Sequence, residues 1–476
     1  MRRVTETAIV LLGSALIGGI TEQWVIAASL PVLWAVWRFL RFHDGPPVLA
    51  FALTFHWSQT VIGIYYNTLT GREPLAMKAA LYEEMTLISL ACVAVFVVGL
   101  WIGERLVALR MTQRPRREVA LGWTSLLLFY FVLLASRGAM RQWAWNISPG
   151  LTQGVIALTY VRFALFYLIL RRLVVAQNFR YAAAFVTVEL GLGMTGFFAE
   201  FKEPLFIAVL VLVEQFDYRR AKHWFAMAVI TVVMGTVGVL WIGIRGTQRE
   251  TSEARESTSI TDKLSFTGSL AQDWFSGSNF DKLLAVDDFV DRMWDVYYPA
   301  LALARVPALL PHTDGAMMMT AVTHVLTPRI LVPDKADLES DSLQVRRYSG
   351  IWVAGPEQGT TISFGYPIQG YIDYGMPGLF LPVLLFAIFM GAAYRFLLRI
   401  IYHRELGVAV VTVIFWMSLY AANKSWPRLL GLALTMIVYL GGFTMLVDRF
   451  LSSNLDAMDE LAQSSSDRHR DRIRTA

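Results

Sequence analysis

What most constrains this chain is a succession of long apolar runs, interrupted by charge only where one run gives way to the next. A helix needs about 20 apolar residues to cross a bilayer core, and backbone in hydrocarbon must satisfy its own hydrogen bonds. Twelve runs approach that length, at 6–20, 24–40, 47–67, 84–104, 119–136, 152–170, 181–199, 203–216, 224–244, 378–398, 406–422 and 427–447. The expected fold class is therefore all-α, a polytopic integral membrane protein with about 12 transmembrane helices. The first and eighth runs are short, so ten or eleven spans is the alternative count. Composition points the same way. Charged residues are 17% of the 476 and hydrophobic ones 55%, with a mean hydropathy of +0.48. A soluble chain carries about 25% charge. A cytosolic enzyme, a disordered regulator and a nucleic-acid-binding domain are excluded on that ground, and the net charge of +5 reflects basic loops rather than a nucleic-acid partner.

Arginine and lysine accumulate in short cytoplasmic loops. With the N-terminus inside, Arg38, Arg41, Arg105, Arg110, Arg116, Arg117, Arg171, Arg172, Arg219, Arg220, Arg399 and Arg404 all fall on the cytoplasmic side. Short outer loops keep few, such as Arg72, Lys78, Arg137 and Lys424. Both termini are thus expected in the cytoplasm of a bacterial inner membrane protein. Residues 1–244 should hold helices 1 to 9, 245–376 one large outer, periplasmic loop between helices 9 and 10, 377–447 helices 10 to 12, and 448–476 a disordered tail. Met1 to Ile20 has no small-residue cleavage site and reads as a retained first helix. Cys92 is the single cysteine, so neither an intramolecular disulfide nor a multi-cysteine metal site is available.

A loop of this length should contain folded elements and is the place to look for function. Residues 246–279 are rich in Ser, Thr, Glu and Gly and read as a mobile surface segment. From Asp281 to Leu310 the periodicity of Phe289, Met293, Trp294, Tyr297 and Tyr298 predicts helices lying on the membrane surface. Asp287, Asp291 and Asp295 follow the helical spacing i, i+4, i+8, which would suit magnesium against a diphosphate. No second aspartate-rich motif accompanies them, and a solvated helix face is the preferred reading. His312 and His324 lack HxxxH or HExxH spacing, so a metal is not expected; His324 retains a general-base reading. Within the spans, Arg162 and Glu189 fall at similar depth and predict an ion pair, with a charged cavity lining as the alternative, while His56 and Gln59 read as contacts between helices.

The strongest constellation is Pro328-Arg329 through Pro333 and Lys335, then Arg346-Arg347, then the polar turn Gln369-Gly370-Tyr371-Ile372-Asp373-Tyr374-Gly375 entering a span. Arginine and lysine set off by prolines near the membrane make a seat for a diphosphate, or meet lipid headgroups. This pattern, with Arg292, Pro307, Pro311 and Gly315 ahead of it, resembles the oligosaccharide repeat-unit polymerases, the O-antigen polymerases of the Wzy type, over about Asp291 to Gly378. Two positions depart from the family pattern: Gln369 where a carboxylate is expected, and Val332 where a Trp is. The resemblance implies a glycosyltransferase without metal or cofactor that polymerises undecaprenyl-diphosphate-linked oligosaccharides at the periplasmic face. Its partners would be that lipid-linked substrate, membrane lipids, a chain-length regulator and a flippase. Arg245, Arg292, Arg329, Lys335, Arg346 and Arg347 would hold the diphosphate groups, with Gln369 and Tyr371 in substrate binding, and His324 or Asp373 would activate the acceptor hydroxyl. An O-antigen ligase, a transporter or flippase of lipid-linked glycans and a prenyltransferase are the competing classes.

Topology reporters inserted after Arg117, Arg172 and Arg220 should read cytoplasm, and reporters at Gly268 and Ser349 the outside. A cytoplasmic signal at Gly268 would place the loop on the wrong side for a periplasmic polymerase.

Overall fold

The computed structural model describes residues 2–42, 44–111, 122–147, 149–195, 202–217, 219–253, 269, 272, 276, 282–329, 331–332 and 334–452. The first part of the chain forms α1 (Arg2–Thr21), α2 (Trp24–Leu40), α3 (Val48–Thr70), α4 (Tyr82–Arg110), α5 (Trp123–Ile147), α6 (Pro149–Thr159), α7 (Val161–Val175), α8 (Phe179–Thr195), α9 (Lys202–Glu214) and α10 (Ala221–Glu253). The long loop folds into α11 (Lys282–Met293), α12 (Tyr297–Arg305), α13 (Ala316–Leu326), α14 (Asp341–Ser349) and α15 (Tyr366–Gly378). The chain then returns through α16 (Phe380–Ile400), α17 (Arg404–Leu419) and α18 (Trp426–Ser452). Among the described residues every apolar run is mainly helical, and no β-strand occurs.

By length and composition, seven helices suffice to cross a membrane: Val48–Thr70, Tyr82–Arg110, Trp123–Ala144, Thr152–Val175, Ala221–Ile242, Phe380–Ile400 and Trp426–Ser452. The remaining apolar helices fall short of that measure among the described residues. Their shortness has a physical counterpart in α17, which is buried at every residue from Gly407 to Leu419. A helix enclosed by protein on all sides need not match the thickness of the lipid around it.

The most extensive helix pair joins α4 to α16. Its seam is made of glycines. A Cβ on Gly99 would collide with the Ala387 side chain, one on Gly103 with the Ile388 carbonyl oxygen, and one on Gly391 with the Leu100 carbonyl oxygen. Small residues four apart let backbones approach closely where no hydrophobic force favours helix association within lipid. Gly99-Leu100-Trp101-Ile102-Gly103 is a GxxxG sequence, facing Ala387 and Gly391 at the same spacing.

Charges within the bundle are paired. Arg162 Nη1 donates to both Glu189 oxygens at 2.6 and 2.7 Å, with the side chains 3% and 1% exposed, so the expected ion pair is present. Removing one member of such a pair costs about 3–5 kcal/mol, because the other is left charged in a poor dielectric. At the arginine-rich end of the bundle, Arg395 bridges Glu104 and Asp44, Arg171 pairs with Glu214 at 2.9 Å, and Arg172 with Glu405 at 2.9 Å.

Two boundaries differ from expectation. α10 continues to Glu253, past the expected end of the ninth span at 244. The rest of the Ser/Thr-rich segment lies almost wholly outside the described residues. Residues 448–452 belong to α18 rather than to a disordered tail: Asp448 accepts from the Tyr402 amide at 2.8 Å and meets His403 Nδ1 at 2.7 Å, fastening the α16–α17 turn. The tail from 453 onward lies outside the described residues.

The glycine seam is open to direct test. Gly103→Val or Gly391→Val should lower folded yield from the membrane and detergent-phase melting temperature, consistent with an overpacking cost of about 1–3 kcal/mol or more. Gly235→Val, at an α10 glycine with open space around it, should be tolerated. Equal behaviour of all three would show that the close approach is not what holds α4 to α16.

Candidate functional site

The long loop is clamped to the bundle end where α3 finishes and α4 begins, and it carries a second apolar core there. Trp294, Val296, Ala300, Val306, Val345, Phe364 and Ile372 pack with Ile64, Ala76 and Met85. Trp294 lies flat on Gly63, where any Cβ would overlap its ring, and its indole donates to the Thr60 carbonyl at 2.9 Å. Trp294 of this stretch is therefore spent on the spans, while Tyr297 and Tyr298 remain half-buried.

The aspartates do not form one solvated face. Asp287 accepts from Tyr66 Oη at 2.6 Å and from Arg72 Nε at 2.9 Å, and Arg72 holds its carboxyl below the usual range. Asp291 accepts from the Leu75 amide at 2.7 Å, and burial raises its pKa. Both dock α11 onto the α3–α4 connection. α11 ends at Met293, so Asp295 leaves the helical spacing and faces elsewhere.

Asp295 lines a cavity between α3, α4 and the start of α15, in company with Gln59, Thr60, Ser89, Tyr366 and Ala422. The space open to a water centre there is about 20 Å³. That is room for one water molecule or one hydroxyl group. No basic side chain is among the described residues that line it. Burial alone pushes the Asp295 carboxyl up to about 7. At neutral pH it is thus divided between acid and carboxylate, the condition for moving protons.

α13 and α15 are locked together around Asp373. Its carboxylate is 0% exposed and accepts from the Met317 amide at 3.0 Å, the Met318 amide at 2.7 Å and the Thr313 hydroxyl. It thereby caps the N-terminus of α13, whose turn needs Gly315 at φ +86°. The other two α15 residues named from sequence are tie points as well. Gln369 Nε2 donates to Gln344 of α14 at 2.9 Å and its Oε1 accepts from the Trp426 amide at 2.8 Å, while Tyr371 Oη donates to the Val306 carbonyl at 3.1 Å. His312 Nδ1 lies 3.0 Å from the Tyr371 carbonyl, which can only accept, so that nitrogen carries the hydrogen.

The basic residues fall into separate groups. At the C-terminal end of α13, Lys335 donates to the His324 carbonyl, and to the Thr327 carbonyl at 2.8 Å; Arg329 pairs with exposed Asp337. Burial, with Lys335 and Arg329 next in effect, lowers the His324 pKa, so the ring is a neutral acceptor. Burial and Arg329 likewise lower that of Lys335. On α14, Arg346 donates to the Val353 carbonyl at 2.8 Å, pairs with Glu357 and stands over the Trp352 ring at 5.2 Å, while Arg347 pairs with Glu339 at 3.0 Å. Arg292 is exposed at the end of α11, and the Arg245 side chain lies outside the described residues. The carboxylates paired with Arg329, Arg346 and Arg347 are all partly or fully exposed. Such pairs are worth about 0–1 kcal/mol, so a phosphate can replace the partner at little cost.

Two features escaped the sequence reading. Asp295 was grouped with its neighbours by spacing, although an acid next to Trp294 in an apolar stretch signals a buried carboxyl. Lys424 and Lys202 flank the Tyr420 ring at 4.1 and 4.9 Å, and Lys424 donates to the Met417 carbonyl at 2.9 Å. Burial, then Lys202, bring Lys424 down to about 7. A lysine between two apolar runs was the available signal.

Asp373 can be assigned by substitution. Asp373→Asn keeps an oxygen for the α13 amides and should retain most activity, while Asp373→Ala strands buried donors and should lower stability by about 1–3 kcal/mol in thermal unfolding. Loss of turnover in the stably folded Asn variant would instead make this carboxylate a base.

No curated protein and no solved structure matches the chain. A family model does match, over residues 66–422, from the last turn of α3 through the whole loop into the α17–α18 turn, a stretch that holds Asp295, the Asp373 lock and the basic groups but not Gln59 and Thr60 of the cavity wall. By that match, which covers well over half of its length, the chain belongs to the family described as a domain of unknown function, DUF8712.

Proposed function

We propose that this protein polymerises undecaprenyl-diphosphate-linked oligosaccharide repeat units at the periplasmic face of a bacterial inner membrane, with about twelve spans and both termini in the cytoplasm. The observation that carries the reading is the grouping of Arg329, Lys335 and His324 at the end of α13, a short apolar helix packed along the outer part of α18. A lipid diphosphate requires cations beside an apolar wall for its chain, and this corner offers Arg329 and Lys335 next to the apolar helix α13. A helix C-terminus repels anions. Lys335 offsets that by covering the carbonyls of His324 and Thr327.

Transfer of a glycan from a lipid diphosphate needs little more than stabilisation of the departing charge, because diphosphate is already a good leaving group. Arginine suits this role, since it stays charged and grips two oxygens with a planar fork. Arg329 and Lys335 would take one diphosphate, while Arg346 and Arg347 on α14 are available to the second lipid-linked unit. His324 is held neutral and faces these cations, as a hydrogen-bond acceptor for a sugar hydroxyl. The fixing of α13 by Asp373, and of α14 by Gln369, supplies the rigid backing that oriented transfer requires.

Membranes from a deletion strain should accumulate single lipid-linked repeat units. Purified protein should extend them into a ladder in excess EDTA. Arg329→Ala and Lys335→Ala should each reduce turnover at least ten-fold with normal folded yield, and Arg329→Lys should restore part of it. A normal glycan profile in the deletion strain would end the polymerase reading. Transfer of single units to a lipid A core acceptor would convert it to the ligase.

A further inference from the structure

The basic groups account for binding a diphosphate, and His324 beside them is a hydrogen-bond acceptor whose lowered pKa makes it a weak base, which leaves the destination of the acceptor hydroxyl's proton unassigned. Asp373 is occupied by three donors and serves as a helix cap. Asp295 is the opposite case. It is partly buried, lines a space of one hydroxyl's size and has no hydrogen-bond partner among the described residues. A carboxyl withdrawn from bulk water into a cavity without a partner is costly, and such groups cluster where they act.

We infer that Asp295 is the proton-accepting residue of this outer-face site, taking the proton of a hydroxyl group admitted to the cavity bounded by Gln59, Thr60, Ser89 and Tyr366. The identity of that hydroxyl, a sugar hydroxyl of the acceptor unit, rests on the transferase reading. In the step, the hydroxyl oxygen bonds to the anomeric carbon of the donor glycan. The bond from that carbon to the diphosphate oxygen breaks, its electron pair leaves with the diphosphate, and the hydroxyl proton passes to the Asp295 carboxylate. Gln59 and Ser89 offer the polar contacts that would orient the hydroxyl; Gln59 is itself fixed, its Oε1 accepting from the Ala422 amide at 3.2 Å.

The electrostatics favour this assignment. From every element packed against Asp295, the titratable groups that face it are phenols, Tyr298 on α12 and Tyr366 on α15. His56 is set behind Tyr366, its ring 6.0 Å from the phenol ring. With no cation among the described residues lining the cavity to hold it ionised, the carboxyl is pushed up to about 7 and can both accept and release a proton near neutrality. The sign follows for stability too. A carboxyl raised above its unfolded value favours the fold while protonated, and that contribution fades as pH rises through about 7.

The test uses full-length protein in nanodiscs, with lipid-linked glycans extracted from the deletion strain as probe. Ladder formation by the wild type should fall off on the acid side with a midpoint near 7. Asp295→Asn should lower the rate by about 10²–10⁴-fold and abolish that acid limb, with an unchanged elution profile. Asp295→Glu should restore part of the rate with a displaced limb. Retention of either the rate or the limb in Asp295→Asn overturns the inference. Should the wild type form no ladder, the polymerase reading fails by itself, and infrared difference spectra decide on Asp295. A carboxylic-acid carbonyl band that titrates near pH 7 and is lost in Asp295→Asn upholds it as a proton-exchanging site; absence of that band in the wild type overturns it.

Discussion

The contact on which the rest of this molecule depends is the glycine seam between α4 and α16. α4 bears the loop end of the molecule: Met85, Ser89 and Val93 form one wall of the Asp295 cavity, and α15, which forms another, is continuous in sequence with α16. How close α4 and α16 come therefore fixes where α15 stands relative to α4. Side chains larger than hydrogen at Gly99, Gly103 and Gly391 would separate the two backbones and widen the cavity wall with them. In lipid there is no hydrophobic gain in pressing apolar helices together, so close packing carries this geometry.

Charge supplies the other constraint. Strongly buried charges in the spans are paired across elements: Arg162 with Glu189, and Arg395 with Glu104 on α4 and Asp44 in the α2–α3 turn. These pairs tie neighbouring helices at defined depths, which apolar packing alone does poorly. At the loop end the same tactic fastens the long loop to the spans, with Asp287 on Tyr66 and Arg72, and Asp341 on Arg428 at 3.0 Å. The carboxylates of the loop are thus mainly structural, and its exposed cations are held by weak, exchangeable partners.

Much of the fold was legible because a bilayer admits few solutions. Apolar length gave the all-helical class, though only seven of the described helices are long and apolar enough to cross a membrane, and the depth of Arg162 and Glu189 in adjacent runs gave their pairing. What sequence did not reveal was where α11 stops. The spacing of Asp287, Asp291 and Asp295 assumes a helix that continues, yet the chain leaves it at Met293 so that Trp294 can lie on Gly63. Periodicity cannot register a glycine more than two hundred residues away. Gln369 and Asp373 were likewise singled out correctly as unusual polar residues at the mouth of a span, but their hydrogen bonds to Gln344, Trp426, Met317 and Met318 join elements far apart in sequence. The GxxxG of α4 was readable, and only its partner at Ala387 and Gly391 was not.

The separation of the basic groups from Asp295 has a chemical consequence. A carboxyl beside arginine is held ionised well below neutrality, as Asp287 is by Arg72. Such a group has little affinity for a hydroxyl proton and makes a poor base. A diphosphate seat, conversely, fails without cations. One site that must do both therefore needs its cations and its base on different elements, and this chain divides them. Arg329 and Lys335 follow α13, Arg346 and Arg347 sit on α14, and Asp295 lies in the α11–α12 turn behind the apolar plug of Trp294. The second apolar core joins α12, α14 and α15 to the ends of α3 and α4, and so packs the Asp295 turn and the arginine-bearing α14 into one unit. On the proposed reading, the large loop keeps a carboxyl in a small enclosed pocket, away from the cations that would bind the substrate's phosphates.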